Sequence, residues 1–218
     1  MTEIIRRLEQ IGVIPVIAIE HIDQALDMAD ALIEGGLPVA EITFRTEAAA
    51  GVIARLHERR PELFIGAGTV LNADHLAIAH AAGAAFGLAP GVDASMIARA
   101  DQLGIPFYPG VMTPSDIQIG LKAGASVFKF FPALPAGGLT LMRAILAPFA
   151  HLGIRTIPTG GITPENLSEW LREPTVLALG GTGIASRQSI AAGDWDGIRE
   201  RAVGARSAVV EARIEGIV

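Results

Sequence analysis

The 218-residue sequence contains no cysteine, only two lysines and no run of 18 apolar residues. Without cysteine the protein has no disulfide bond, no thiolate nucleophile and no cysteine-bound metal ion. The lack of a long apolar run argues against a membrane-spanning helix. Residues 1–9 have the pattern of an amphipathic helix rather than of a signal peptide, so we expect a cytoplasmic protein without a membrane partner.

Positive charge is also scarce in this sequence. The formal net charge is -6, with 17 lysines and arginines against 23 acidic residues. Binding to a nucleic-acid backbone requires clustered cations, so the composition argues against nucleic acid as a partner. The five histidines lack the HxH and HxxxH spacings that pair metal ligands. We therefore expect neither a metal site nor a cofactor.

One rhythm repeats along the whole chain: an alanine-rich helical stretch, a glycine, a short apolar strand and a turn. Glycines that end helices stand at positions 35–36, 83, 104 and 124, each before a predicted strand. The predicted strands cover residues 12–17, 39–44, 64–68, 86–89, 105–109, 126–131, 154–158 and 175–179.

Eight strand–helix units predict an α/β protein with a single (β/α)8 TIM barrel that spans residues 1–218. Residues 1–10 form an extra helix that closes the lower end. An open doubly wound sheet is the alternative. We favour the barrel because strands recur about every 25 residues and polar residues cluster at their carboxyl ends, where barrel active sites lie.

Lys129 lies within the apolar run 127–131, where an ammonium group has no obvious route to water. Burial disfavours the charged form of a lysine, and the neutral amine is a nucleophile that attacks carbonyl carbons. The position therefore predicts Schiff-base chemistry. The alternative is a lysine that snorkels or forms an ion pair on an edge strand. Lys122 differs, because it falls in the last turn of a predicted helix, where a solvated cation is favourable.

Strand alternation predicts which side chains share a cavity with Lys129. Val127 and Phe131, two positions away, face the same side. On the second predicted strand, Glu41 and Arg45 share a face, which must be the interior because the outer face packs under helices. Glu41 can then move the protons that Schiff-base and aldol chemistry require. The alternative is an ion pair of Glu41 with Arg45 or Lys129 that only holds the barrel together.

Two more residues stand at the carboxyl ends of predicted strands. Arg45 presents a planar guanidinium that suits a carboxylate, although an ordinary surface arginine fits the spacing equally well. Thr69 follows Gly66 and Gly68 at the end of the third strand. These glycines allow a ligand to come close, or they serve barrel packing alone.

Glycine-rich turns, 159–164 and 180–183, follow the last two predicted strands. Loops at these positions of a barrel form a common phosphate site, since exposed backbone N–H groups and helix N-termini both favour an anion. The alternative is that the glycines only permit tight turns. The pair of turns, in these strand positions, favours phosphate binding.

Five motifs run in order along nearly the whole chain: Glu41-Ile42-Thr43-Phe44-Arg45-Thr46, Gly66-Ala67-Gly68-Thr69-Val70-Leu71, Pro90-Gly91, Phe128-Lys129-Phe130-Phe131-Pro132-Ala133 and Thr159-Gly160-Gly161-Ile162. Together they resemble the bacterial 2-keto-3-deoxy-6-phosphogluconate (KDPG) and 4-hydroxy-2-oxoglutarate aldolase family. The resemblance implies a homotrimeric, metal-free class I aldolase that splits KDPG into pyruvate and glyceraldehyde 3-phosphate. It also implies that 4-hydroxy-2-oxoglutarate is often accepted.

The resemblance also implies a role for individual residues. Lys129 would form the Schiff base, Glu41 would be the general acid and base, and Arg45 with Thr69 would hold the pyruvyl carboxylate. The remaining implied contacts are a pocket lining of Pro90, Phe131 and Thr159 and a phosphate site of Gly160, Gly161, Gly181 and Thr182.

One departure from the family concerns the second glycine pair. Well-known members continue with Ser-Trp, whereas here Thr182-Gly183 follows. Threonine keeps the hydroxyl, but the missing tryptophan leaves room for a different aldehyde portion. A sister aldolase for the galactonate epimer or for an unphosphorylated 2-keto acid therefore stays open. A phosphosugar-binding barrel isomerase or synthase shares the glycine turns but does not explain an amine buried opposite a carboxylate.

Overall fold

The computed structural model describes residues 2–215. Met1, from the predicted extra helix, and residues 216–218 belong to the predicted domain but lie outside the described residues. Parallel strands alternate with helices along the chain. The strands are β1 Val13–Ile17, β2 Val39–Thr43, β3 Phe64–Gly68, β4 Phe86–Leu88, β5 Phe107–Tyr108, β6 Gly110–Val111, β7 Val127–Phe130, β8 Arg155–Thr156 and β9 Leu179–Gly181. The helices are α1 Thr2–Ile11, α2 Ala25–Glu34, α3 Ala49–Arg59, α4 Ala73–Ala81, α5 Ala94–Leu103, α6 Pro114–Lys122, α7 Ala133–Ala136, α8 Gly138–Leu146, α9 Pro164–Leu171, α10 Arg187–Ala191 and α11 Trp195–Glu215, with 3₁₀ helices at Ile22–Gln24 and Ala147–Leu152.

The strands form a curled parallel sheet in two pieces. Six strands pair in the order β5-β4-β3-β2-β1-β9, and three pair in the order β6-β7-β8. Isolated parallel bridges, Thr156 to Val176 and Thr159 to Gly180, join the β8 side of the smaller piece to the β9 side of the larger. The predicted α/β class with a parallel sheet is confirmed. Residues 2–215 do not show the closed eight-stranded barrel that the sequence predicts.

The predicted strand 154–158 is shorter in the structure, where β8 covers only Arg155–Thr156. Two other predicted strands differ from the observed ones for local reasons. The predicted strand 105–109 is divided into β5 and β6 by Pro109, which has no N–H to donate to a ladder. The predicted strand 175–179 is largely a connection, and β9 begins only at Leu179. The N–H of Val176 is occupied by the carbonyl of Glu173 in a turn, so regular pairing starts later.

Side-chain caps begin several helices of the sheet's outer layer. Asn72 accepts a hydrogen bond from the N–H of His75, and Asp93 accepts one from the N–H of Ser95. Thr113 begins α6 with a capping box and a proline in the first turn, and α9 begins in the same way. These caps fix the helices that follow β3, β4, β6 and β8, and so fix the loops at the carboxyl ends of those strands.

Helix α1 crosses the amino ends of several strands, as predicted for the extra helix. Arg7 donates to the carbonyl of Glu62, just before β3, at 2.9 Å. Glu9 accepts from Arg155, the first residue of β8, at 2.7 Å. Leu8 points inward and has no exposed surface. The carboxyl ends of the strands, on the opposite side, therefore remain open to carry a site.

Candidate active site

Lys129 lies in β7 and is buried among apolar residues, with 5% of its surface exposed. Its Nζ donates to Oε1 of Glu41, on β2, at 3.0 Å. An added Cβ on Gly120 of α6 would lie 2.4 Å from the ring of Phe128, so Phe128 faces the helix layer. Its neighbour Lys129 faces the interior, as strand alternation predicts.

Glu41 is fully buried, and a glycine on the neighbouring strand makes room for it. An added Cβ on Gly68 would lie only 2.2 Å from Oε1 of Glu41. Among the described residues, the second oxygen, Oε2, has no hydrogen-bond partner. A buried carboxylate oxygen without a partner is unfavourable, so it is a natural acceptor for a water or a substrate hydroxyl.

Phe131 stands at the end of β7 and partly covers the amine. The centre of its ring is 5.7 Å from Nζ of Lys129, and 36% of the residue is exposed. The peptide bond from Phe131 to Pro132 is cis. The predicted placement of a phenyl ring one step above the amine is thus what the structure shows.

Arg45 and Thr69 lie at the carboxyl ends of β2 and β3. Nε of Arg45 donates to Oγ1 of Thr43 at 3.2 Å, and no ion-pair partner for Arg45 occurs in residues 2–215. Thr69 is the one residue other than glycine with a positive φ, 52°, in the described chain. Such strained conformations cluster at functional sites. Both residues therefore lie on the side of the sheet to which the carboxyl ends of β2 and β3 point.

Pro90 lies in the turn after β4, against β6, the strand that pairs with β7. Gly110 of β6 lies opposite Lys129 in the ladder, and an added Cβ on Gly110 would meet the carbonyl carbon of Pro90 at 2.2 Å. The N–H of Gly110 donates to the carbonyl of Gly91 at 3.0 Å. The turn after β4 is thereby held against the strand that faces the lysine.

The two glycine-rich turns meet at the same end of the sheet. Thr159 and Gly180 form a bridge, and an added Cβ on Gly180 would lie 2.2 Å from Oγ1 of Thr159. Gly160 and Gly161 have φ of 102° and 79°, which side chains rarely adopt, and in the described chain neither N–H donates to a backbone carbonyl.

The predicted phosphate residues are not all equally accessible. Thr182 and Gly161 are exposed and Gly160 is half-buried, whereas Gly181 is buried within β9 opposite Pro15. The helix after this strand, α10, has only five residues. Its dipole therefore contributes less to an anion site than the sequence prediction assumes.

The match to a known family accounts for this arrangement of residues. The family described as KDPG and KHG aldolase matches residues 4–201. The chain belongs to this aldolase family. It is 41% identical over 196 residues to the 2-dehydro-3-deoxy-phosphogluconate aldolase of Haemophilus influenzae (strain Rd KW20), which covers 90% of this chain and 92% of that relative.

Solved structures of family members are similar to this chain over most of its length. KDPG aldolase of Legionella pneumophila, with pyruvate captured as a covalent carbinolamine intermediate, has a TM-score of 0.85 and 37% identity over 89% of this chain and 93% of that one. The aldolase of Zymomonas mobilis ZM4 with 3-phosphoglycerate has a TM-score of 0.83 and 36% identity over 93% and 94%. The aldolase motifs are therefore carried on a shared fold.

Two buried residues of the sheet, Thr43 and Tyr108, are not among the site residues predicted from the sequence. Thr43 accepts from Arg45 and donates to the carbonyl of Ile17 at 2.8 Å, which ties the arginine to β1. Tyr108 lies 6.2 Å from the ring of Phe86, which itself packs over Gly66. Burial raises the pKa of Tyr108, so its hydroxyl stays protonated. The period-two pattern of β2 offers a signal for Thr43, but nothing in the sequence singles out Tyr108.

Residues 2–215 contain no cluster of three or more acidic, histidine or cysteine side chains that could hold a metal ion. No helix in that part of the chain is long and apolar enough to cross a membrane.

Proposed function

We propose that this protein is a class I aldolase that cleaves KDPG to pyruvate and glyceraldehyde 3-phosphate. The observation that carries the proposal is the buried contact of 3.0 Å between Nζ of Lys129 and Oε1 of Glu41. Membership of the aldolase family supports it, as does the covalent pyruvate adduct of the Legionella pneumophila relative. A nucleophilic amine and a proton carrier in direct contact are what a Schiff-base mechanism requires.

The first half of the reaction joins Lys129 to the substrate. The ammonium group gives a proton to Glu41, and the neutral amine attacks the keto carbon. Glu41 returns that proton to the carbonyl oxygen to give the carbinolamine and then takes one from the nitrogen. When Glu41 protonates the hydroxyl, water leaves and an iminium ion remains.

The second half breaks the carbon–carbon bond. Glu41, again a carboxylate, removes the proton from the C4 hydroxyl, and the C3–C4 electrons move into the iminium to form an enamine. The aldehyde leaves, Glu41 gives its proton to C3, and water then releases pyruvate from Lys129. The unpartnered Oε2 of Glu41 supports this role, because it leaves one oxygen free for the hydroxyl.

We assign the ends of the substrate to the groups around this pair. Arg45 and Thr69 hold the pyruvyl carboxylate, since the guanidinium has no acidic partner in the described residues and the threonine is held in a strained conformation. The other assigned contacts are a lining of Pro90, Phe131 and Thr159 and a phosphate site of Gly160, Gly161, Gly181 and Thr182.

A related aldolase activity is the second candidate function. Gly183 stands where well-known members carry a tryptophan, and an added Cβ there would meet no atom within 4 Å. Membership of the KDPG and KHG aldolase family supports acceptance of 4-hydroxy-2-oxoglutarate, which gives pyruvate and glyoxylate. The missing tryptophan leaves room for a different aldehyde portion. This room also suits the galactonate epimer or an unphosphorylated 2-keto acid. Comparative turnover of these substrates ranks the candidates.

We also infer that the two sheet pieces form a closed eight-stranded barrel and that residues 1–218 are one domain. The bridges from β8 to β9 support closure on one side, and the single proline between β5 and β6 makes them one interrupted strand on the other. A crystal structure with eight continuous neighbours around the barrel is the expected outcome, and a gap between β5 and β6 would contradict it.

We infer a homotrimer in the cytoplasm. Exposed apolar residues near the carboxyl ends of the strands support association, because large apolar groups there are otherwise left in water. They are Leu71, Met112 and Leu134. A charged, phosphorylated substrate does not diffuse through membranes, which supports the location. Light scattering should give three times the chain mass, and a monomer would contradict the trimer.

Covalent trapping tests the function directly. Incubation with pyruvate and borohydride should add one reduced pyruvyl group per chain at Lys129, because this amine contacts a proton acceptor within an apolar cavity. Peptide mass spectrometry locates the group. Lys122, on α6, is the internal control and should stay unlabelled. Labelling of Lys122 instead, or no labelling, would overturn the Schiff-base mechanism.

A further inference from the structure

An ion pair between Arg187 and Glu20 crosses the seam between β1 and β9. The two strands are paired as far as Pro15 opposite Gly181, so the segments that follow leave the sheet side by side. A second contact holds these segments together, because Nε2 of Gln24 donates to the carbonyl of Ile190 at 3.0 Å. The ion pair therefore stands on the rim that also carries the second glycine-rich turn.

The assigned phosphate site contains no positive side chain. It consists of three glycines and Thr182, whereas a substrate phosphate carries close to two negative charges near pH 7. Arg187, the first residue of α10, is the single cation among residues 182–187 that follow that turn. Its side chain is 66% exposed, so it is available to a ligand at the rim.

The contact with Glu20 is weak enough to be exchanged. The carboxylate side chain is 42% exposed, and ion pairs in such surroundings contribute little because water screens them. A phosphate dianion offers Arg187 twice the charge and a bidentate geometry that matches the guanidinium.

We propose that Arg187 is a specificity-determining residue that binds the substrate phosphate, and that Glu20 holds it on the rim until substrate arrives. The inference rests on the proposed function, because it assumes a phosphorylated 2-keto acid in this site. It implies a simple competition: Glu20 and phosphate bind the same guanidinium. Removal of the Arg187 charge should then weaken phosphate binding, and removal of the Glu20 charge should strengthen it.

Two neutral variants that break the same ion pair test this competition. Arg187→Gln should raise KM for KDPG by about 5- to 20-fold, because a charge-assisted contact is lost. Glu20→Gln should lower that KM by about 2- to 3-fold, because the competing carboxylate is removed. For 4-hydroxy-2-oxoglutarate, which has no phosphate, KM should change less than about 2-fold in both variants. Inorganic phosphate should inhibit cleavage of 4-hydroxy-2-oxoglutarate more weakly in Arg187→Gln than in wild type, and more strongly in Glu20→Gln.

The outcomes separate this inference from a structural clamp. If both variants raise KM for KDPG, or affect the two substrates equally, the ion pair only holds the rim and the inference is wrong. Arg187→Lys keeps the charge and should recover part of the lost affinity, which a packing defect would not allow. Pyruvate trapping at Lys129 in each variant reports an intact site. Wild-type protein that fails to trap pyruvate would overturn the aldolase assignment itself, whereas normal trapping with unchanged KM in both variants would overturn only the role of Arg187.

Discussion

At the scale of single residues, burial of the charged groups of Lys129 and Glu41 costs free energy, which their mutual contact must offset. Removing two charged groups from water costs several kcal/mol per ion, and their mutual contact returns only part of it. One oxygen of Glu41 also lacks a partner in the described residues. Such an arrangement is poor for stability alone, which favours a chemical role for the pair over the purely structural ion pair.

Glu41→Gln separates the chemical role from the structural one. The substitution keeps the shape but removes the proton carrier, so kcat should fall by about 100- to 10,000-fold. Pyruvate trapping at Lys129 should persist at a reduced rate. Lys129→Arg is the companion variant and should abolish trapping, because a guanidinium stays protonated. Turnover of Glu41→Gln at the wild-type rate would show that Glu41 serves only the fold.

The sequence predicts the placement of a residue when the neighbouring residues along the chain determine its surroundings. Lys129 is flanked by apolar side chains, and Glu41 belongs to a strand in which polar and apolar residues alternate. Both placements therefore follow from the local sequence pattern. Thr43 and Gly110 are different, because Ile17 comes from β1 and Pro90 from the turn after β4. Contacts between elements depend on ladder register, which a single sequence does not specify.

At the scale of elements, β2 and β3 form the part of the sheet that positions Glu41. Their ladder pairs Glu41 with Gly66 and Thr43 with Gly68. The missing side chains of β3 leave the space that the carboxylate and the ring of Phe86 occupy. The glycines of this strand therefore make room for Glu41 and Phe86, which is the packing role among the two alternatives that the sequence leaves open. Thr69 is the next residue along the chain after Gly68.

Gly68→Ala tests this packing. The added Cβ would lie 2.2 Å from Oε1 of Glu41, so the carboxylate must move. A displacement of about 1 Å in a catalytic group can cost about 100-fold in rate, and we expect a loss of kcat of that order. Overpacking should also lower the free energy of unfolding by about 1–3 kcal/mol.

Gly204→Ala is the matched control for that substitution. Gly204 lies in α11, and an added Cβ there would meet no atom within 4 Å. Alanine is the better helix former, so the free energy of unfolding should rise by about 0.5–1 kcal/mol with kcat unchanged. Denaturant unfolding and steady-state assays give both quantities. Wild-type kcat in Gly68→Ala would show that Glu41 does not need its observed position.

Element boundaries show where sequence periodicity stops being informative. Long strands such as β2 and β3 match their predicted ranges closely, because apolar alternation and flanking glycines agree. The strand around Pro109 and the last strand are predicted less well. Their ladders depend on which backbone N–H groups are free, and Pro109 and Val176 have none to offer.

At the scale of the whole molecule, ion pairs join neighbouring helices of the outer layer. Arg60, just after α3, donates to Asp30 of α2, with 2.6 Å between Nη2 and Oδ2. This hydrogen bond holds the pKa of Asp30 below its usual value. The side chains of Arg60 and Asp30 are 26% and 42% exposed, so the contribution of the pair to stability is modest.

The pH dependence of that contribution follows from the sign of the shift. Because the pKa of Asp30 is lower in the folded protein than in the unfolded chain, its stabilisation is fully present above the unfolded value, near 3.8, and is lost as the pH falls through the folded value. Asp30→Asn should therefore lower the free energy of unfolding by about 0.2–1 kcal/mol at pH 7. The difference from wild type should shrink steadily below pH 4. Urea unfolding of Asp30→Asn, Arg60→Gln and the double variant at several pH values measures the coupling. A coupling that is zero at pH 7, or that grows as the pH falls, would show that the helix pair is held by packing alone.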